Sequence, residues 1–220
     1  MLPTFSTENF AVFDDFLPEE HIKRLHRYME SENFTYVKSK SYRNDLFRIF
    51  EGDPLTGPGL HHQHPVPPKG AAIHPSGTAL DAVVDTLLNV QDTLAPWTGK
   101  RGEDWDFFGA MPYLYPRDSG LTWHNDSKYQ SSYVLYVHEE WKPTWGAELL
   151  VATDLGQGEA EMVSLKTRKA DIGHYVAPLP NRLVVLKGGT PHMVKRVDPN
   201  AGENFRSSVA GFFQRSPKDA

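Results

Sequence analysis

Apolar residues recur at helical spacing in two stretches of the N-terminal half. Between residues 18 and 32, apolar side chains lie three or four positions apart, and Pro18 with the two acids after it suits a helix N-terminus. Between residues 76 and 94, a longer apolar stripe repeats with the helical period and is closed by Pro96. Both stretches predict helices that cover one face of a sheet.

From residue 105 onward the pattern changes to short apolar runs, rich in Val, Phe, Tyr and Leu, that turns separate. These runs predict strands near residues 107–115, 131–138, 147–153, 182–187, 191–197 and 205–214. Many short strands in succession are typical of a β-sandwich or barrel. We therefore predict a mainly β (α+β) fold in one domain, 1–220, in which a helical and loop region of about 1–104 supports a β core of about 105–214.

Residues 51–75 are dense in Pro, Gly and His, which predicts a long loop without regular structure. Such a loop is usually a lid, a binding loop or a disordered segment. The alternating His62 and His64 can chelate a second metal, but histidines with a structural role or facing a substrate are the favoured interpretation.

Composition narrows the class of function. A formal charge of −5 and a pI near 6.0 argue against a nucleic-acid partner, and no apolar run is long enough to span a membrane. The first residues lack the pattern of a secretion signal. Cysteine is absent, which excludes disulfides and thiolate metal sites and is compatible with a cytoplasmic setting. A homodimer is left open.

Three residues have the chemistry of a metal site. His124 and Asp126 lie two apart, so they point to the same side if the strand is extended. Taken alone, the pair is better explained by a surface turn in which Asn125, Asp126 and Ser127 cap backbone groups. His192, after a Gly-Gly-Thr-Pro turn, is the best third ligand, and two histidines with one carboxylate form the facial triad of non-heme Fe(II) oxygenases.

Several sequence motifs occur in the order in which a known protein family carries them. The segments are FAVFDDFLPEEHIKRL, YPRDSGLTWHND, YVLYVHEEW with WGAELLV, PLPNRLVVLKGGTPHMVKRV and FRSSVAGFF. Together they resemble the 2-oxoglutarate- and Fe(II)-dependent oxygenases, in particular the prolyl 4-hydroxylase-like branch. The resemblance runs from about residue 106 to residue 214 and includes the entry into the first helix. It implies a double-stranded β-helix, with iron held by His124, Asp126 and His192 and with 2-oxoglutarate and O2 as cosubstrates.

The resemblance also implies a binding site for 2-oxoglutarate. Arg206 would meet the distal carboxylate, for which a guanidinium fork is well suited. Ser208 shares its face of the strand, and Tyr115 and Tyr136 lie where the family often places phenols.

The spacing from His192 to Arg206, fourteen positions, is longer than many members of the family show. The segment VDPNAGEN is interpreted as a hairpin turn that absorbs the difference. Lys195 or Arg196 is the alternative anchor.

Substrate contacts are weaker predictions. Arg43 and Arg48 can recognise a carboxylate or phosphate, or merely balance neighbouring acids. Trp123 and Trp145 can form a wall of the pocket or pack the sheets together. Tyr113 is expected in the core.

Two further histidines are assigned no ligand role. His138 is expected to face solvent, and His174 is not expected to bind the metal.

The resemblance predicts an enzyme, a dioxygenase that hydroxylates an unactivated C–H bond of a small molecule such as an amino acid or a natural-product intermediate, with release of succinate and CO2. The carboxylate of Asp126 favours hydroxylation over halogenation, while desaturation, ring closure and epimerisation stay open. The alternatives are a hydroxylase of prolyl or other protein side chains, and a cupin-like metal protein that does not use 2-oxoglutarate.

Overall fold

The computed structural model describes residues 1–31, 33–37, 52–152 and 173–216. Its helices are α1 (Glu19–Ser31), α2 (Leu80–Asn89) and α3 (Gln91–Thr98). Its strands are β1 (Phe5–Ser6), β2 (Phe10–Phe13), β3 (Thr35–Tyr36), β4 (Leu55–Thr56), β5 (Leu60–His62), β6 (Ala72–Ile73), β7 (Phe107–Tyr115), β8 (Leu121–His124), β9 (Ser131–Tyr136), β10 (Leu149–Ala152), β11 (Gly173–Val176), β12 (Leu183–Lys187), β13 (His192–Val194) and β14 (Arg206–Gln214).

The strands form two sheets that face each other. The major sheet has the order β1-β2-β12-β9-β14-β7-β4-β3, with β5 also paired to β7 and β6 to β5, and the minor sheet has the order β11-β10-β13-β8. Apolar residues of both sheets share one buried cluster, so the sheets enclose a common core. The predicted mainly β class with a double-stranded β-helix core is confirmed.

Both faces of the major sheet are buried, which explains its continuous apolar runs. In β12, Leu183 and Val185 belong to the cluster on the helix side, whereas Val184 and Leu186 belong to the cluster between the sheets. Burying one such side chain contributes about 1.5–3 kcal/mol to folding. The strand sequence LVVL therefore holds two layers together at once.

The helices cover the outer face of the major sheet, as predicted. The apolar stripe of α1, with Leu25 fully buried, packs there beside those of α2 and α3. The boundary predicted for the second helix was wrong, because the backbone departs from helical geometry at Val90, which separates α2 from α3. Pro96 lies inside α3 rather than after it, and the helix ends before Gly99, whose φ of 74° is accessible to glycine.

The predicted helical and loop character of residues 1–104 was incomplete. Six short strands, β1 to β6, lie there and extend the major sheet. Three of them lie within the stretch of residues 51–75 that was predicted to lack regular structure. Strands of two to four residues are too short to show an alternating pattern, and partner strands fix their backbones. The organisation as one domain stays a prediction.

The connection from β13 to β14 is not the predicted hairpin. The two strands belong to different sheets, and a 3₁₀ turn at Pro199–Ala201 lies between them. The side chain of Asp198 accepts a hydrogen bond of 2.9 Å from the backbone N–H of Asn200 and caps this turn. The crossover places His192 and Arg206 on facing sheets.

No helix within the described ranges is both long enough and apolar enough to cross a membrane.

The closest approach of two strands gives a test of this packing. A Cβ built on Gly211 would lie 1.8 Å from the carbonyl oxygen of Gly109, the same oxygen that accepts a 2.9 Å hydrogen bond from Tyr133. We expect Gly211→Ala to lower the free energy of unfolding by about 2 kcal/mol or more, because backbone has to shift and this hydrogen bond is disturbed. Urea denaturation measures the change. Gly109→Ala is the matched control, since its Cβ meets nothing closer than 3.5 Å. Equal losses in the two variants would contradict the packing described.

Candidate active site

Two histidines of the minor sheet face each other across a strand pair. His124 is the last residue of β8 and His192 the first of β13, and they are direct partners in the register. Their ring centroids lie 4.1 Å apart, and both side chains are buried. Neighbouring positions on paired strands hold such rings rigidly.

Asp126 completes the cluster from the turn after β8. Its φ of 50° lies in the left-handed region, which aspartate tolerates better than most residues. Its Oδ1 lies 3.8 Å from Nε2 of His124, and its Oδ2 lies 3.4 Å from Nε2 of His192. One ligand atom from each of the three residues lies within 4.8 Å of the others. The structure thus brings the predicted triad together.

Hydrogen bonds orient both imidazoles toward Asp126. Nδ1 of His124 donates to the carbonyl of Thr122 and Nδ1 of His192 to the carbonyl of Thr190, each at 2.8 Å. This leaves both Nε2 atoms with their lone pairs toward the carboxylate.

The protonation states suit a divalent metal. Burial, reinforced by His192, lowers the pKa of His124 to about 4, so the ring is neutral near pH 7. Burial alone would raise the pKa of Asp126, but the neighbouring His192 and His124 hold it below its usual value. Two imidazole Nε2 atoms and one ionised carboxylate fit Fe(II), and the facial arrangement leaves coordination positions open.

Arg206 lies on the facing sheet and is almost fully buried, with 2% of its surface exposed. Its guanidinium carbon lies 4.9 Å from the ring centroid of Tyr115 and 4.8 Å from that of Tyr136. Nη1 donates to Oγ of Ser208 at 3.3 Å, while Nε has no hydrogen-bond partner. Among the described residues, no carboxylate forms an ion pair with Arg206. A buried cation of this kind fits the carboxylate of a ligand.

The phenols have different positions around Arg206. Burial raises the pKa of Tyr115 to about 12, so its hydroxyl keeps its proton and can donate a hydrogen bond. Tyr115 lines the cavity beside the triad, whereas Tyr136 packs against the guanidinium. Tyr113, expected in the core, is half-buried and also lines the cavity.

The two alternative anchors point elsewhere. Lys195 pairs with Glu148 at 3.6 Å and Arg196 pairs with Asp118 at 3.6 Å. Their side chains are 57% and 52% exposed, which leaves them in water rather than in the core.

A cavity of about 480 Å³ connects these groups. It is lined by the triad on one side and by Arg206 and Ser208 on the other. Trp123 and Trp145 are not among the described residues that line it. Trp145 packs edge-on against Trp141 in the core between the sheets, with ring centroids 5.2 Å apart.

The residues at the cavity wall that the sequence interpretation missed include Lys128, Tyr129 and Phe212. Phe212 lies an even number of positions after Arg206 in the same strand, so the sequence could have predicted that both side chains point to one face. Lys128 and Tyr129 directly follow the metal-ligand motif, but a turn hides the direction of their side chains. The predicted substrate residues Arg43 and Arg48 lie outside the described residues.

The expectation that His138 faces solvent was wrong. Its side chain is 7% exposed, and Nε2 donates to the carbonyl of Pro178 at 2.6 Å. Pro178 comes from a segment 40 residues away, so no local pattern indicates this burial.

The histidines of the 51–75 stretch do not form a second metal cluster among the residues that could be described. Nδ1 of His62 lies 3.3 Å from Nδ1 of His74, and Nε2 of His74 lies 3.0 Å from Asp85. Arg101 approaches Nε2 of His62 at 3.2 Å, which makes this ring a hydrogen-bond acceptor rather than a metal ligand.

Comparison with known proteins supports the same identification. Residues 110–214, which contain the triad and Arg206, match the family model of the 2OG-Fe(II) oxygenase superfamily. This match bears out the family predicted from the sequence, a family of oxygenases that use Fe(II), 2-oxoglutarate and O2. A search among curated proteins finds no match.

Solved structures of low sequence identity share the fold. A prolyl-4-hydroxylase of Pseudomonas putida is similar with a TM-score of 0.63 and 20% identity, over 96% of this chain and 95% of that chain. A Trichoplax adhaerens prolyl hydroxylase, in complex with a hypoxia inducible factor peptide fragment, has a TM-score of 0.59 and 15% identity, over 94% and 84%. HygX from Streptomyces hygroscopicus, with nickel and 2-oxoglutarate bound, has a TM-score of 0.57 and 10% identity, over 94% and 83%.

The triad makes a prediction about metal affinity. We expect Asp126→Asn to weaken Mn(II) binding, measured by calorimetry, on the order of 100-fold or more, since changes to groups that only support a ligand already cost about 10–100-fold. Asp118→Asn is the matched control, because that carboxylate pairs with Arg196 outside the cluster. Unchanged Mn(II) affinity in Asp126→Asn would contradict the assignment.

Proposed function

The chain belongs, through its residues 110–214, to the 2OG-Fe(II) oxygenase superfamily, and on that premise we propose that it hydroxylates an unactivated C–H bond of a small molecule. Bound Fe(II) and 2-oxoglutarate supply the oxidising chemistry: one oxygen atom of O2 enters the substrate as a hydroxyl, and the other enters succinate as CO2 leaves. The observation that carries the proposal is a buried guanidinium that pairs with no carboxylate among the described residues and lies across one cavity from a His-Asp-His cluster.

His124, Asp126 and His192 would hold the metal. The carbonyls that accept from the Nδ1 atoms keep the rings from rotating, so the metal-binding atoms are positioned before the metal arrives. The ionised Asp126 offsets part of the metal's charge inside a buried site. A carboxylate at this position also favours hydroxylation over halogenation.

Arg206 would bind the distal carboxylate of 2-oxoglutarate. Ser208 lies beside it on the same strand face, and the Tyr115 hydroxyl, which keeps its proton, can donate to an acid in the cavity. Tyr136 would act as a positioning residue, because its ring packs against the guanidinium. The cupin-like alternative without 2-oxoglutarate leaves the burial of Arg206 unexplained.

The cavity supports a small molecule as the substrate. Its volume of about 480 Å³ lies within the range of sites that enclose metabolites and similar ligands. The competing proposal is a hydroxylase of peptides, which the likeness to two prolyl hydroxylases favours. Cytoplasmic location and homodimer formation stay predictions.

Succinate formation separates these proposals. With Fe(II), ascorbate and 2-oxoglutarate, we expect members of a panel of free amino acids to stimulate succinate release and proline-containing peptides not to do so. His192→Ala should remove the stimulated release, because it removes a metal ligand. His174→Ala is the matched control, since this histidine of the minor sheet packs on Phe5 and Phe10 away from the triad. Greater stimulation by peptides than by free amino acids would overturn the small-molecule proposal.

A further inference from the structure

We propose that the outer end of the cavity, formed by Lys128, Tyr129 and Phe212, binds a small organic anion that carries a flat ring. The ring would lie against the two aromatic side chains, and the anionic group would face Lys128. The inference rests on the proposed function, because it specifies the substrate class of that same site.

An aromatic wall stands next to the metal-ligand cluster. The rings of Tyr129 and Phe212 are stacked, with centroids 4.1 Å apart and an interplanar angle of 29°, and both residues line the cavity. The backbone N–H of Tyr129 donates to the carbonyl of Asp126 at 3.0 Å. The turn that presents the Asp126 carboxylate therefore also fixes the start of this wall. A stacked pair offers a further flat face to a ring in the cavity.

The length of β14 separates the aromatic wall from Arg206, the anchor of the cosubstrate. Arg206, Ser208, Ala210 and Phe212 alternate with residues of the other face, and all four line the cavity. Six residues of extended strand span roughly 20 Å. Phe212 stacks on Tyr129, whose backbone N–H donates to the carbonyl of Asp126, so the metal-ligand cluster lies toward the Phe212 end. Arg206 and the aromatic wall thus serve opposite ends of one cavity.

The charges of the cavity favour an anion at the outer end. Among the described lining residues, Lys128 and Arg206 are the cations and Asp126 is the carboxylate. Arg206 is committed to 2-oxoglutarate and Asp126 to the metal, which leaves Lys128 for the substrate. Its side chain is exposed, so its attraction acts through water and is modest and salt-dependent.

Three probes separate the contributions of ring and charge. The anaerobic protein with Fe(II) and 2-oxoglutarate should show the weak charge-transfer band of the chelated keto acid, and a molecule that binds beside the metal should perturb this band. At low salt and millimolar concentrations, we expect 3-phenylpropanoate to perturb the band with a lower half-saturation than 3-phenylpropan-1-amine, which reverses the charge, or pentanoate, which lacks the ring.

Variants then test the named residues. Lys128→Met should raise the half-saturation of 3-phenylpropanoate about fivefold, the size of an ion pair in water, and Lys128→Arg should restore most of the loss. Phe212→Leu should raise it for both phenyl probes and not for pentanoate, since it removes one ring of the stack. Lys100→Met is the matched control, because this exposed lysine pairs with Glu103 and does not line the cavity.

The outcomes distinguish this inference from the function on which it rests. If the band does not form in the wild-type protein, the proposed function fails. If the band forms, the inference is overturned when no probe perturbs it, when the amine binds as tightly as 3-phenylpropanoate, or when Lys128→Met has no effect. Loss of the band on addition of 3-phenylpropanoate would also overturn it, because the probe would then displace 2-oxoglutarate.

Discussion

The site depends on the buried guanidinium of Arg206 and on the contacts that offset its removal from water. Removing a cation from water without a counter-charge costs on the order of several kcal/mol, and proteins keep such a group only where other contacts offset the cost. Here two tyrosine rings and one serine hydroxyl contact it, and Nε has no hydrogen-bond partner within the part of the chain that the structure describes. The position of β14 between β9 and β7 prevents the side chain from escaping to solvent. A carboxylate from a ligand completes the arrangement.

The two facing sheets place the metal-ligand cluster opposite Arg206. The minor sheet holds His124 and His192 on paired strands, and the crossover from β13 to β14 brings Arg206 to the opposite wall of the same cavity. Because strands buried on both faces are rigid, the distance between metal and anchor is fixed by the core rather than by loops. The helices contribute indirectly, since they bury the outer face of the major sheet.

The sequence was most informative where residues follow the two-residue repeat of a strand or an ordered motif. The parity of Arg206 and Ser208 in β14 is a local fact, whereas Asp126 lies in a turn after its strand. The triad and the anchor were named in advance from the ordered motifs that resemble the oxygenase family. The same parity also applied to Phe212, but nothing in the sequence tells how far a cavity extends along a strand. Longer strands were predicted closely, as in β7, whereas strands of two residues depend on partners far away in the sequence.

Residues whose surroundings come from distant segments could not be placed from the sequence. His138 donates to the carbonyl of Pro178, and Trp145 lies in the core cluster that residues of both sheets share. Asp126 itself needs a left-handed backbone that neighbouring loops support, with Gly189 donating to the carbonyl of Asn125 at 2.7 Å. Such contacts depend on the packing of the whole fold.

The most direct test of this account compares two keto acids that differ only at the distal end. 2-Oxoglutarate and 2-oxopentanoate have the same chain length, but only the first carries the second carboxylate. In anaerobic titrations of the Fe(II) protein, we expect 2-oxoglutarate to bind at least about 30-fold more tightly, because truncating one partner of a buried charge pair costs about 2–5 kcal/mol. In Arg206→Met this preference should fall to nearly one, with Arg196→Met as the control. A preference that survives in Arg206→Met would contradict the role assigned to Arg206.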